Sequence, residues 1–283
     1  MPCLGDIHRL QQAILHIQQH SPLTDEIRME TLLYEMENAN IVRPNILSVE
    51  ETFSAILHSE QSLARFGDGE IMLMANYFSG LPFQEYTPHL AENLRRLLRH
   101  PPHDFLIGIP HCYYYPFLYA NRIVNNFSHN KLFNALSVPL WRHYLNQWIN
   151  LKTVYADAAI TALNLQQCAA LREWLKNKKV VLTLCQQAHQ NYQFHLFDSA
   201  KQLDYCFVPN KNAFQEYESV LQHLTHFPKD SLHILMAGPA AKIWAKDLHL
   251  NGFRALDLGH LAKHYDYQMQ NKEMDAAFWQ VDE

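Results

Sequence analysis

The sequence predicts an α/β fold, with a Rossmann-like, mostly parallel sheet flanked by helices. Short apolar runs recur through its second half, at Lys179 to Cys185, Leu203 to Val208, Ser231 to Ala237 and Arg254 to Leu258. Stretches with helical spacing of apolar residues separate them, and that alternation implies βαβ units with right-handed crossovers. Glycine and polar residues follow these runs directly, at the carboxyl ends of strands where an open α/β sheet binds its ligands.

Residues 1 to 45 are polar and compatible with helix. Ile14, Ile17, Leu32 and Leu33 suggest two amphipathic helices around a Ser21-Pro22 break. This part reads as an N-terminal helical segment, and residues 46 to 283 as the α/β domain. Ser48-Val49-Glu50-Glu51 is a capping box opening a helix with Phe53, Ile56 and Leu57 on one face. That helix leads into a strand at Leu63. Thr87-Pro88 opens another, as N-cap and first helical residue, with Leu90, Leu94, Leu97 and Leu98 as its buried stripe. Phe105 to Pro110 is a buried strand, and the aromatic residues from Tyr113 to Tyr119 after it are either a sugar-stacking wall or core. Residues 131 to 149 read as a packed helix, Val154 to Ala156 as a weaker strand and Leu163 to Leu175 as an amphipathic helix. Asn212 reads as the cap of a helix carrying Phe214, Tyr217, Leu221 and Leu224. A later helix with Ile243, Trp244 and Leu248 stops at Asn251-Gly252.

Composition excludes several classes. The 283 residues suffice for a sizeable core, and a net charge of −5 gives no basic face for general nucleic-acid binding. The five cysteines are scattered and form no Cys-x-x-Cys, so neither a zinc knuckle nor a disulfide framework is indicated. A reducing cytoplasm suits them. No signal-peptide pattern and no membrane-span window occur, which leaves peripheral contact as the form any membrane association would take. The 18 histidines are mostly isolated and form no His-Glu-x-x-His, so they read as composition rather than as a metal cage.

The stretch richest in chemistry is Arg65-Phe66-Gly67-Asp68-Gly69-Glu70. In an extended segment residues two apart point the same way, so Asp68 and Glu70 could converge on one hard divalent cation. The alternative is a solvated turn, because Asp and Gly are common turn residues. Other strand ends add Lys211 and Asn212, Gly238 at the start of a helix, and His260. Together they offer carboxylates, cations and backbone N–H groups, the set that a phosphate ligand with a metal needs. No Gly-x-Gly-x-x-Gly, P-loop or Gly-x-Ser-x-Gly is present, which gives little support to a dinucleotide dehydrogenase, a P-loop NTPase or a serine hydrolase.

These motifs carry a family resemblance. Arg65-Phe66-Gly67-Asp68-Gly69-Glu70 is similar to the signature of the GT-D-fold glycosyltransferases. In the same order, Pro209 to Phe214, Ala237 to Ala241 and Asp257 to His260 also resemble that family. The resemblance implies a GT-D-type domain that transfers a sugar from a nucleotide donor, typically a UDP-sugar, to a glycan or glycoprotein acceptor in cell-surface glycan assembly. It implies Mn²⁺ or Mg²⁺ at Asp68 and Glu70. Arg65, Phe66, Gly67, Lys211, Asn212 and Gly238 would lie along the donor, with His260 or Asp266 as general base. The chain departs from the pattern at His189, which stands along the donor where the family carries an arginine, so that a phosphate contact is weakened or replaced, and after His260, where Asp266 is the one acid before Tyr267. A metal-dependent phosphohydrolase or nucleotidyltransferase using the same carboxylates is the alternative enzyme. A degenerate member that binds glycan or a partner is the non-catalytic one.

Overall fold

The computed structural model describes residues 42–77, 80–116, 138, 140–272 and 278. The helices expected around Ile14, Ile17, Leu32 and Leu33 lie outside these residues, as do Tyr119 and residues 131–137. The described elements build an eight-stranded, wholly parallel sheet. Its strands are β1 (Asn45–Ile46), β2 (Ser62–Arg65), β5 (Phe105–Ile109), β6 (Val154–Asp157), β7 (Lys179–Cys185), β8 (Gln202–Val208), β9 (Ser231–Met236) and β10 (Arg254–Asp257). The order across the sheet is β1-β6-β5-β2-β10-β9-β7-β8. β3 (Gly80–Leu81) and β4 (Gln84–Glu85) pair separately as an antiparallel ribbon.

Apolar side chains lie on both faces of the sheet, as a parallel sheet sandwiched by helices requires. One core holds Ile71, Leu73 and Met74 of α2 (Asp68–Ala75), the leucine stripe of α3 (Pro88–Arg99), and Trp244 and Leu248 of α7 (Gly238–Leu250). Val220 and Leu224 of α6 (Tyr217–Thr225) join the same core. The other holds Phe53 and Ile56 of α1 (Val49–His58), Leu171 and Leu175 of α4 (Leu165–Leu175), and Leu261 and Tyr265 of α8 (Leu261–Met269). One short helix, α5 (Gln186–Asn191), follows β7.

This layering positions the site. β2 and β10 are neighbours, with Leu256 opposite Leu63. The chain leaving β2 packs its helix on the first face, and the chain leaving β10 packs α8 on the second. The two connections diverge, and the resulting crevice at the carboxyl ends of β2 and β10 is a topological switch point.

Local sequence accounts for most elements. Ser48 Oγ accepts from Glu51 N and Glu51 Oε2 accepts from Ser48 N, closing the expected capping box. Thr87 Oγ1 accepts from Leu90 N, with Pro88 in the first turn. Asn164 and Gln167 form a further box at the start of α4. Trp141, Leu145 and Trp148 are buried as expected of a packed segment.

Three local expectations change. Asp68 to Ala75 is a helix, not a turn, because an unbroken run from Ile71 to Ala75 packs against α3 and carries the helix back to Asp68. Asn45–Ile46 pairs with Val154–Tyr155 at the sheet edge, so residue 45 belongs to a strand. Asn212 stands at the start of a single 3-10 turn, Ala213–Glu216, ahead of α6, but its side chain makes no capping hydrogen bond. It adopts a left-handed conformation (φ 55°), takes a hydrogen bond on Oδ1 from Glu85 N (2.7 Å) and donates its own N–H to Phe83 O (2.8 Å). Left-handed backbone is tolerated by Asn, and here it clamps the β3–β4 ribbon.

His233 of β9 is fully buried against Phe253 and Phe227, and neither ring nitrogen has a hydrogen-bond partner among the described residues. Burial, then Lys229, pushes its pKa down to about 4. The unfolded chain therefore takes up this proton first, so stability is full above pH ~6.5 and is lost as pH falls toward 4. Urea unfolding should show a loss of about 2 kcal/mol between pH 7 and pH 5 from this group alone, and His233→Leu should remove that share. Equal pH slopes in the two proteins would refute the assignment.

Candidate active site

The crevice is built from the ends of β2 and β10 and the start of α7. Arg65, the last residue of β2, donates from its backbone N to Asp257 Oδ2 (3.1 Å) and from Nε to Asp257 O (3.1 Å). Its Nη1 donates to Ala158 O (2.7 Å). The guanidinium is thereby locked to β10 and to the turn after β6, with one edge toward Gly259. Gly259 has φ 48°, and a Cβ there would lie 1.8 Å from Arg65 Nη2. Only glycine meets both conditions. Asp257 is buried and also accepts from Gly259 N on Oδ1 (3.2 Å).

Glu70 and Asp68 occupy the first turn of α2, where carboxylates suit the helix dipole. On a helix, unlike a strand, side chains two apart do not face the same way. Glu70 turns back, accepting from Gly67 N on Oε2 (2.8 Å) and pairing through Oε1 with Lys242 Nζ (2.8 Å). Lys242 also meets Asp257 Oδ2 (3.2 Å) and Gly238 O (3.0 Å). Burial raises the Glu70 carboxyl, but Lys242, the Gly67 N–H and Arg65 outweigh it and hold it below the usual carboxylate range.

Asp68 is exposed on the crevice and accepts from Gly69 N on Oδ1 (2.8 Å). Crowding by protein raises its carboxyl, the Gly69 N–H opposes this, and the Glu70 charge adds to the rise. Since the group is open to solvent, the Glu70 charge is the contribution its geometry supports. Tyr113, in the single turn His111–Tyr113 after β5, is raised well above its ordinary value by burial, then by Asp68, Cys112 and Glu70. It stays protonated beside these carboxylates. His260, at the mouth before α8, is held down to about 4 by burial and by Arg65, Lys263 and Lys242, against Glu70. Its ring is exposed, so the cations are the part of that shift its geometry supports. It is neutral at physiological pH.

The sequence-based candidates thus separate. Arg65, Gly67, Asp68, Glu70, Gly238 and His260 come together. Phe66 does not line the crevice; it is fully buried in the core. Lys211 is exposed beside Asn212, whose side chain serves the ribbon. His189 lies toward the far edge, in an aromatic group with His195, Tyr205 and Phe207. Asp266 is buried, and its carboxylate accepts from Gln193 N (2.9 Å), Phe194 N (2.8 Å) and Gln270 Nε2 (2.7 Å). Such a carboxylate holds the 193–194 segment to α8. Lys242 was passed over by motif reading, while Asp257 and Tyr113 were noted in their stretches without a role in the site. Lys242 had one available signal, a lysine amid the apolar residues of α7.

Among the described residues no group of three or more His, Cys, Asp or Glu side chains is gathered to hold a metal. A Mg²⁺-like ion needs only one or two carboxylates when substrate phosphates and water complete its shell. Asp68, exposed and, among the described residues, bonded only within its own turn, fits as that ligand. Glu70 is committed to Lys242.

The model of a family described as "Glycosyltransferase GT-D fold" matches residues 63–279. The chain belongs to that family. GT-D relatives include a "Probable glycosyl transferase Gly" of Streptococcus gordonii, 26% identical over 273 residues covering 89% of this chain and 38% of the relative. Another is "Glycosyltransferase GlyD" of Streptococcus pneumoniae serotype 4, 20% identical over 82% of this chain and 29% of the relative. The chain thus spans well under half the length of either. The GT-D architecture recurs in two solved structures. One is described by the words "The highly conserved domain of unknown function 1792 has a distinct glycosyltransferase fold", with TM-score 0.69, 24% identity, and coverage of 89% of this chain and 87% of that one. The second is "A New Glycosyltransferase (DUF1792) from Streptococcus sanguinis", with TM-score 0.68, 21% identity, and coverage of 85% and 93%. Among the described residues no helix is long and apolar enough to cross a membrane.

Two variants test this geometry. Gly259→Ala should lose at least about 1 kcal/mol in urea unfolding, since left-handed backbone and the Arg65 contact both oppose a Cβ; unchanged stability would mean that Arg65 is not held there. Asp266→Asn should destabilise by about 1–3 kcal/mol, because an amide leaves buried donors underserved. Turnover by its folded fraction should match wild type, and a selective loss of kcat would restore Asp266 as the base.

Proposed function

We propose that this chain is a glycosyltransferase that takes a sugar from a nucleotide-diphosphate donor, a UDP-sugar, and passes it to a glycan or glycoprotein acceptor. The observation that carries this reading is the meeting of Arg65, Lys242, Glu70, Asp257 and exposed Asp68 at one switch-point crevice in a GT-D family member. The scattered free cysteines suit work in a reducing cytoplasm, and assembly of cell-surface glycans is the process such acceptors imply.

Each part has a role set by its environment. Gly67 and Gly69 bring backbone close to the diphosphate, and Arg65 gives fixed positive charge without needing to move. Asp68 would hold Mn²⁺ or Mg²⁺, which when bound supplies Lewis-acid neutralisation of the leaving diphosphate. Tyr113, protonated, donates a hydrogen bond to oxygens in the crevice. His260 is neutral and lies at the open end, where it can accept the proton of an attacking acceptor hydroxyl.

A thermal-shift panel of UDP-, GDP- and dTDP-sugars, with and without Mn²⁺, tests the reading, because a ligand that binds only the folded state raises its melting temperature. A UDP-sugar with Mn²⁺ should give the largest rise. Asp68→Asn should abolish the Mn²⁺-dependent part and lower transfer at least 100-fold while leaving the unliganded melting point within a few degrees. Full transfer in excess chelator would remove the metal from the proposal, and no shift with any nucleotide sugar would overturn the donor class.

A further inference from the structure

Lys242 is only 3% exposed, and its ammonium meets three oxygens: Glu70 Oε1 at 2.8 Å, Gly238 O at 3.0 Å and Asp257 Oδ2 at 3.2 Å. An ammonium has three N–H donors, so these oxygens saturate it. We propose that Lys242 is the positioning residue of the crevice, setting the Gly67–Gly69 turn and the Arg65 guanidinium for the diphosphate and withholding Glu70 from the metal. This proposal rests on the nucleotide-sugar reading above.

Two arms run from the ammonium. Through Glu70 it reaches the Gly67 N–H and fixes the first turn of α2. Through Asp257 it reaches the backbone N–H of Arg65 and that of Gly259, whose close approach sets the edge of the guanidinium. Lys242 itself faces protein oxygens, so it acts through its neighbours. While Glu70 is paired, Asp68 is the carboxylate left to a cation.

Removing the ammonium while keeping an unbranched apolar stem should therefore move two affinities in opposite directions. In Lys242→Met, Glu70 and Asp257 lose their resident cation and become oxygen ligands for a divalent one. Mn²⁺ binding without nucleotide, read by electron paramagnetic resonance, should tighten at least tenfold. UDP binding at saturating Mg²⁺, read by calorimetry, should weaken at least tenfold because the turn and Arg65 are no longer held. General loosening of the fold would weaken both.

Unchanged affinities, or a fall in both, would overturn the proposal while leaving the nucleotide-sugar reading intact. A wild-type chain that binds no UDP under any condition would remove that reading and this proposal with it. If Lys242→Met does not fold, the buried ammonium of the wild-type protein can be followed by ¹⁵N NMR. Its signal should persist in slow exchange and shift on addition of Mg²⁺ and UDP, and an absent or unmoved signal would refute the role.

Discussion

A single buried ammonium ties this molecule's chemistry to its fold. Lys242 joins α2, α7 and β10 through Glu70, Gly238 and Asp257. Burying those charges is costly, and the arrangement stands because each is paired and its remaining hydrogen-bonding capacity is largely met. Removing one partner from such a set costs about 3–5 kcal/mol, because the others are left uncompensated. The network is therefore less a source of net stability than a device that permits one arrangement of strand ends.

That arrangement matters because the sheet alone would leave the crevice undefined. A topological switch point supplies a gap between diverging connections, with nothing in it to dictate where charged groups point. Here Asp257 accepts from the backbone of β2 as well as from its own loop. The register between β2 and β10, only one residue pair long, is thus reinforced by side chain and guanidinium. A misplacement at either strand end would shift Arg65 and Asp68 together.

Much of this was legible in the sequence, and the failures have physical causes. The strands were readable because a parallel sheet buried on both faces leaves continuous apolar runs. The capping box at Ser48 and the N-cap at Thr87 were readable because they depend on neighbours only. Asp68 and Glu70 were found, but their relation was not: a Gly-Asp-Gly-Glu stretch has turn chemistry, and the α2 packing that makes it helical is tertiary. Phe66, Asn212 and Asp266 carried the right neighbours in sequence and serve the core, the ribbon and the 193–194 segment in space. Lys242 was missed for the converse reason. Its partners are Glu70 in α2 and Asp257 in β10, contacts that no local pattern encodes.

Under the proposed function, the charges around the crevice bear on why a single exposed carboxylate would be enough for a cation. Arg65 and Lys242 are set against Asp257 and Glu70 in ion pairs. Under the proposed function, a diphosphate entering this set would add negative charge that Arg65, already facing Asp257, offsets only in part. Asp68 is where compensation could be added, being exposed and, among the described residues, bonded only within its own turn. A second free carboxylate there would hold a cation more tightly before the donor arrives, and would leave surplus negative charge facing the diphosphate whenever that cation was absent. Pairing Glu70 with Lys242 would avoid that repulsion, and would make cation and donor depend on each other for their place in the crevice.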